Sequence, residues 1–185
     1  MSWRAWLLLI IIIGGVGVFF FSKNNKITEL IPIFKTTNMD ISSPAFPNGG
    51  DIPIQYTCQG DSSLIPLTIS KVPKNAQTLA LIMDDPDAPN ATFVHWVVFN
   101  IPPTTTDLEY QGYVYGSQAV NSAGVRGYTA PCPPSGSHRY YFKLYALNIS
   151  LVESDINNKA DLELNMAGHI VGQTELIGVV KHLDQ

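Results

Sequence analysis

The sequence predicts a mainly β protein, an antiparallel β-sandwich with one C-terminal helix, preceded by a single transmembrane helix. Three observations carry this reading. Segments rich in β-branched, aromatic and leucine residues recur at 78–84, 93–101 and 139–147, each bounded by turn residues. The 13 prolines and 14 glycines punctuate short apolar stretches, which favours strands joined by tight turns over long helices. An unbroken apolar run occupies residues 5–21, ahead of the strand-like segments.

That run would rise about 25 Å as a helix, near the lower limit for crossing a hydrocarbon core. It is apolar on all sides, is flanked by Arg4, Lys23 and Lys26, and has no Ala-x-Ala cleavage pattern after it. Residues 1–22 are therefore read as an uncleaved anchor, 23–39 as a tether and entry segment, and 40–185 as one β-rich domain. The expected localisation is a single-pass membrane protein with its domain on the extracytoplasmic (periplasmic) side.

Within the domain, Ser43, Pro44, Pro47, Asn48, Gly49 and Gly50 mark a loop before a strand-like segment at 52–58. The connection from 102 to 137 is long for a compact domain and should carry function or short strands of its own. Residues 159–176 fit a helix, with Leu162, Met166, His169 and Ile170 at three- and four-residue spacing, and 177–180 could return to a sheet. A formal net charge of −4, with 14% charged residues and no basic cluster, argues against nucleic-acid binding.

The residues with chemistry gather at strand ends. The apolar segment at 79–83 stops at Asp84, Asp85, Pro86, Asp87, Ala88 and Pro89, whose prolines restrict the chain around the acids. Strict alternation places Phe93, His95, Val97 and Phe99 on one face, opposite Val94, Trp96 and Val98. In the third segment His138, Tyr140, Phe142 and Leu144 share a face, opposite Arg139, Tyr141 and Lys143. Taken singly, an Asp-Pro pair reads as a turn and a strand-end histidine as a hydrogen-bonding residue.

Together, Asp85-Pro86-Asp87-Ala88-Pro89, His95-Trp96 and Gly136-Ser137-His138-Arg139-Tyr140 resemble the two signature motifs of the phosphatidylethanolamine-binding family. The closest likeness is to its bacterial and archaeal, Raf-kinase-inhibitor-like branch. That branch also shows segments similar to Ser43-Pro44-Ala45-Phe46, Tyr56-Thr57-Cys58 and Pro131-Cys132-Pro133-Pro134. The resemblance implies a larger antiparallel sheet packed on a smaller one, with a C-terminal helix near the pocket. It implies an anion pocket lined by Asp85, Asp87, Pro89, His95, His138 and Tyr140. The chain departs from the branch at Thr68-Ile69, where a tryptophan often stands, and at Ala130, where glycine is usual. These changes bear on the pocket rim and on ligand preference, not on the fold.

Two carboxylates need not repel a phosphate. An aspartate that accepts a hydrogen bond from a histidine favours the imidazolium, and histidines, the Tyr140 hydroxyl and loop amides can then donate to phosphate oxygens. The acids remain for a ligand ammonium, so the expected ligand is a small anionic or phospholipid headgroup such as phosphoethanolamine. No cofactor and no catalytic role are expected. An interaction module regulating a kinase or protease through the same pocket is the alternative that the resemblance allows. Two aspartates and two histidines could ligate a metal, but no His-x-x-x-His or Cys-x-x-Cys spacing supports this. A hydrolase using Ser135 or Ser137 lacks the Gly-x-Ser-x-Gly elbow. Arg139 and His169 read as structural, Arg139 through a salt bridge. Cys58 and Cys132 are expected on loops at one end of the sandwich. A disulfide or two thiols would fit there, and with similar cysteines in cytosolic-looking members of the branch, two half-buried free thiols are expected.

Overall fold

The centre of the fold is a strand with no exposed residue. In the computed structural model, which describes residues 39–183, all eight residues of Thr78–Asp85 are buried. Chain order runs β1 (Asp40–Ser42), β2 (Gly50–Asp51), β3 (Thr68–Ser70), β4 (Thr78–Asp85), β5 (Phe93–Ile101), β6 (Glu109–Tyr110), β7 (Tyr113–Val114), β8 (Ser117–Gln118), β9 (Ser137–Leu147), α1 (Lys159–Met166) and β10 (Ile170–Lys181). A six-stranded sheet has the order β2-β10-β9-β4-β5-β8, antiparallel except for the β2–β10 pair. β1 and β3 form a second, two-stranded sheet, and β6 with β7 a hairpin.

Both faces of the large sheet are covered, which is why β4 reads as a continuous apolar run. On one face Leu79, Leu81, Met83, Trp96, Val98, Tyr140 and Phe142 pack with Met39, Ile41, Ile65, Leu67 and Ile69. On the other, Ala80, Ile82, Val97 and Phe99 pack with Leu151, Ile156, Leu162 and Met166 from the segment leading into and through α1. Burying side chains of this size stabilises by about 1.5–3 kcal/mol each. The long connection at 102–137 carries β6, β7 and β8, as its length suggested.

Four expectations are corrected. Among the described residues no helix is long and apolar enough to cross a membrane, so the expected transmembrane helix, and the single-pass membrane localisation resting on it, are not supported. The anchor at 1–22 and the tether up to residue 38 lie outside the described residues. Residues 52–58 form no strand. Pro53 offers no N–H, and the chain turns through a 3-10 helix at Ile54–Tyr56, where Thr57 N donates to Ile54 O at 2.9 Å.

The helix expected over 159–176 ends at Met166, with Leu162 and Met166 its buried residues. Gly168, at φ +80°, turns the chain, and His169 N donates to Met166 O at 3.0 Å. From there the chain runs into the 12-residue β10, paired with β9 from Ile170 opposite Leu147 to Lys181 opposite Ser137. The spacing of His169 and Ile170 was a coincidence of period; alternation takes over at the glycine.

The fourth correction concerns His95. β5 pairs Trp96 with Met83 but Val94 with Asp84, so His95 is the extra residue of a bulge. Strict alternation therefore fails there. His95 turns to the face of Tyr140, whose ring it meets edge-on with centroids 5.2 Å apart, and away from Val97 and Phe99.

Candidate functional site

Three carboxylates at and just past the end of β4 each find different partners. Asp84 and Asp85 are successive strand residues and so face opposite sides of the sheet. Asp85, only 3% exposed, accepts from His138 Nδ1 at 2.7 Å through Oδ2 and from the Asp87 backbone amide at 2.8 Å through Oδ1. Asp87 takes a forked bond from Arg139, with Nη2 at 2.7 Å on Oδ1 and Nε at 2.9 Å on Oδ2; the Arg139 amide adds a third bond to Oδ2 at 2.9 Å. The Arg139 side-chain bonds hold the Asp87 carboxyl well below the usual range, at about 2. On the far side Asp84 is fully buried between Lys159 Nζ, 2.7 Å from Oδ2, and Lys143 Nζ, 3.0 Å from Oδ1. Both lysines donate to Oδ2, Lys159 at 2.7 Å and Lys143 at 3.1 Å, and Oδ1 accepts no hydrogen bond among the described residues.

His138 stands one residue into β9, on the same face as Tyr140 by the period of two. With Nδ1 committed to Asp85, its Nε2 is the ring nitrogen left for a ligand; among the described residues it makes no hydrogen bond. His95 sits deeper. Its Nδ1 donates to Thr129 O at 2.9 Å, and burial holds the imidazole below the ordinary histidine range, so Nε2 is an acceptor at neutral pH. The strand carbonyl of His95 accepts from Thr129 N at 3.0 Å and from Asn121 Nδ2 at 3.1 Å. Asn121 thus ties the 121–129 loop to the bulge, and its Oδ1 also accepts from the Ala123 and Val125 amides.

Tyr140 has no exposed surface, and its hydroxyl makes no hydrogen bond, although the Cys132 backbone lies near it. Burial, and after it the charge of Asp85, pushes this phenol up and keeps it a donor. A buried hydroxyl without a partner costs about 1–3 kcal/mol, which makes it a rare feature in a folded core.

The structure brings four of the six expected residues together: Asp85, His95, His138 and Tyr140. Asp87 lies at their edge, held by Arg139, as the salt bridge expected for Arg139 required. Pro89 stands exposed on the turn after β4. Among the described residues no group of three or more His, Cys, Asp or Glu is placed to hold a metal ion. α1 lies behind the sheet from this cluster and reaches the neighbouring Asp84 through Lys159. Sequence reasoning did not find the Asp84–Lys143–Lys159 triad, since nothing in the chain signals that a helix residue 75 positions later returns to Asp84.

The cysteines require a further correction. They lie on loops at one end, as expected, but Cys58 and Cys132 are bonded, with Cα atoms 5.3 Å apart, and both are exposed. The bond from Cys58 N to Pro131 O, 3.0 Å, draws the two loops together.

Comparison with known proteins agrees with this architecture. The family model described as phosphatidylethanolamine-binding protein matches residues 42–181. A UPF0098 protein of Methanothermobacter thermautotrophicus is 44% identical over 149 residues, covering 77% of this chain and 99% of the relative. A UPF0098 protein of Chlamydia muridarum is 41% identical over 145 residues, covering 76% and 97%. Among solved structures, the phosphatidylethanolamine-binding protein homologue CT736 of Chlamydia trachomatis superimposes with a TM-score of 0.76 at 38% identity, covering 80% of this chain and all of that one. YbcL of E. coli, described as a new member of the mammalian family, gives 0.70 at 27% identity over 78% of this chain and 99% of its own. With its motifs, its sheet order and these relatives in agreement, the chain belongs to the phosphatidylethanolamine-binding protein family.

Proposed function

We propose that this chain is a binding protein whose pocket takes the phosphate of a small anionic or zwitterionic headgroup, such as phosphoethanolamine, between the Tyr140 hydroxyl and His138 Nε2. The observation that carries the reading is the buried, unpartnered Tyr140 hydroxyl beside a histidine whose other nitrogen is already held by Asp85. A phosphate oxygen would supply the missing acceptor. The carboxylates do not oppose it, because Asp85 is paired with His138 and Asp87 with Arg139. Asp87 keeps 27% of its side chain exposed and could meet a ligand ammonium at the rim. The His138 and Asp85 side chains are 8% and 5% exposed, so a small headgroup is the size of ligand proposed to reach them.

Calorimetric titration of inorganic phosphate and of O-phosphoethanolamine into the full chain tests this. Replacing His138 or Asp85 by alanine should weaken binding by about 1–3 kcal/mol while the circular dichroism spectrum is retained. Unchanged affinity in both variants would refute the site.

A further inference from the structure

We infer that the Cys58–Cys132 disulfide is a redox-sensitive tie that holds the wall of the anion site, so that reduction loosens the 128–136 segment and weakens anion binding. The inference rests on the binding function proposed above and adds its regulation. Its ground is what this segment does. Residues 128–136 run outside every strand, yet they supply Thr129, which bonds His95 twice, and Cys132, which borders the Tyr140 hydroxyl. They then enter β9 one residue before His138.

The segment has few means of holding itself. Pro131, Pro133 and Pro134 have no N–H to donate. Past Thr129, its next link to the rest of the fold is Cys58, through the disulfide and the single bond from Cys58 N to Pro131 O. Further along, His182 meets Pro133 O and Gly136 O. The disulfide closes 74 residues of sequence separation, and the ties beside it are hydrogen bonds, Cys58 N to Pro131 O at 3.0 Å and the Tyr128 hydroxyl to Tyr56 O at 3.4 Å. Both cysteines are exposed and therefore open to a thiolate, and exposed disulfides are the more readily reduced class.

A dithiol reductant supplies the chemistry. One thiolate attacks either sulfur, the S–S bond breaks as a mixed disulfide forms, and the second thiol of the reductant resolves it. Two electrons and two protons pass to Cys58 and Cys132, and the reductant leaves as its own disulfide. If the reduced segment holds the binding arrangement a tenth of the time, affinity falls about tenfold.

The test compares the full chain oxidised, reduced with dithiothreitol and reoxidised, together with the Cys58→Ser/Cys132→Ser variant. Two readouts are taken: calorimetric affinity for inorganic phosphate, and hydrogen exchange at the Cys58 and Thr129 amides, which donate to Pro131 O and His95 O. Reduction should speed exchange at these amides and lower phosphate affinity about tenfold, with both restored on reoxidation. The double-serine variant should match the reduced state and be insensitive to dithiothreitol. Exchange unchanged by reduction overturns the inference, whatever the affinities show. Faster exchange with unchanged phosphate affinity overturns the regulatory half. If the oxidised chain binds no phosphate, the proposed function fails on its own account, and exchange still decides whether the disulfide holds the segment.

Discussion

Replacing Tyr140 by phenylalanine should move stability and binding in opposite directions. The ring is kept, with its edge-on contact to His95 at 5.2 Å and its place in the core. What is lost is a hydroxyl with no hydrogen-bond partner and no exposed surface. Such a group costs about 1–3 kcal/mol to bury, and the nearby Cys132 backbone recovers part of that. The ligand-free variant should therefore be as stable as the parent or more stable by about 1 kcal/mol, a rise of about 2–4 °C in Tm. Phosphate binding should lose one charge-assisted bond, about 1.5–3 kcal/mol, or roughly 10- to 150-fold in Kd. Scanning calorimetry with and without phosphate reads both effects at once, since ligand raises the parent's Tm by mass action and should raise the variant's far less. A variant destabilised by more than about 2 kcal/mol without ligand would show that the hydroxyl has a structural partner, and equal stabilisation by phosphate would show that it does not meet the anion.

Three other outcomes are expected from the same geometry. The Asp87 carboxyl is lowered to about 2 by Arg139 from an ordinary 3.8, so its pairing stabilises the fold above pH 3.8 and this contribution disappears as pH falls towards 2. Asp87→Asn should flatten acid unfolding in that window by about 1 kcal/mol, a figure discounted for screening at this partly exposed pair; an unchanged profile would refute the pairing. The buried His95 is held below its ordinary 6.5, so the unfolded chain takes up its proton first: stability is full above pH 6.5 and declines as pH drops below it. Imidazole NMR should show His95 neutral at pH 6.5, and a midpoint at or above that value would contradict the burial that outweighs its bond to Thr129. Gly178→Ala would place a Cβ 2.6 Å from the Ile52 side chain and 2.8 Å from the Phe46 ring, and should cost about 1–3 kcal/mol in denaturant unfolding; a neutral result would mean that the Ile52 and Phe46 side chains give way without loss of packing.

β4, β5 and β9 were legible in the sequence because their burial leaves nearly uninterrupted apolar runs with turn residues at both ends. The Asp85–His138 meeting was legible only through the family motifs, since period alone puts His138 and Tyr140 on one face but says nothing of which strand lies beside them. β10 was masked by a helical spacing in its first residues; Gly168 was the available sign that the helix stops. The bulge at His95 could not be read, because one inserted residue leaves the composition of a strand untouched while reversing the face of the side chain. Asp84 showed the same limit. Its neighbours announced a strand end, but its burial depends on Lys143 and Lys159, two cations that only the fold brings to it. The disulfide went unread for a similar reason: two cysteines 74 residues apart are silent about whether their loops touch.

The place where an anion binds is the central claim. A crystal structure of the full chain grown with O-phosphoethanolamine tests it directly. The phosphate should lie within about 3 Å of both the Tyr140 hydroxyl and His138 Nε2, with the Asp85–His138 bond kept. Phosphate bound instead beside Lys159 behind the sheet, with the Tyr140 hydroxyl still unpartnered, would contradict it.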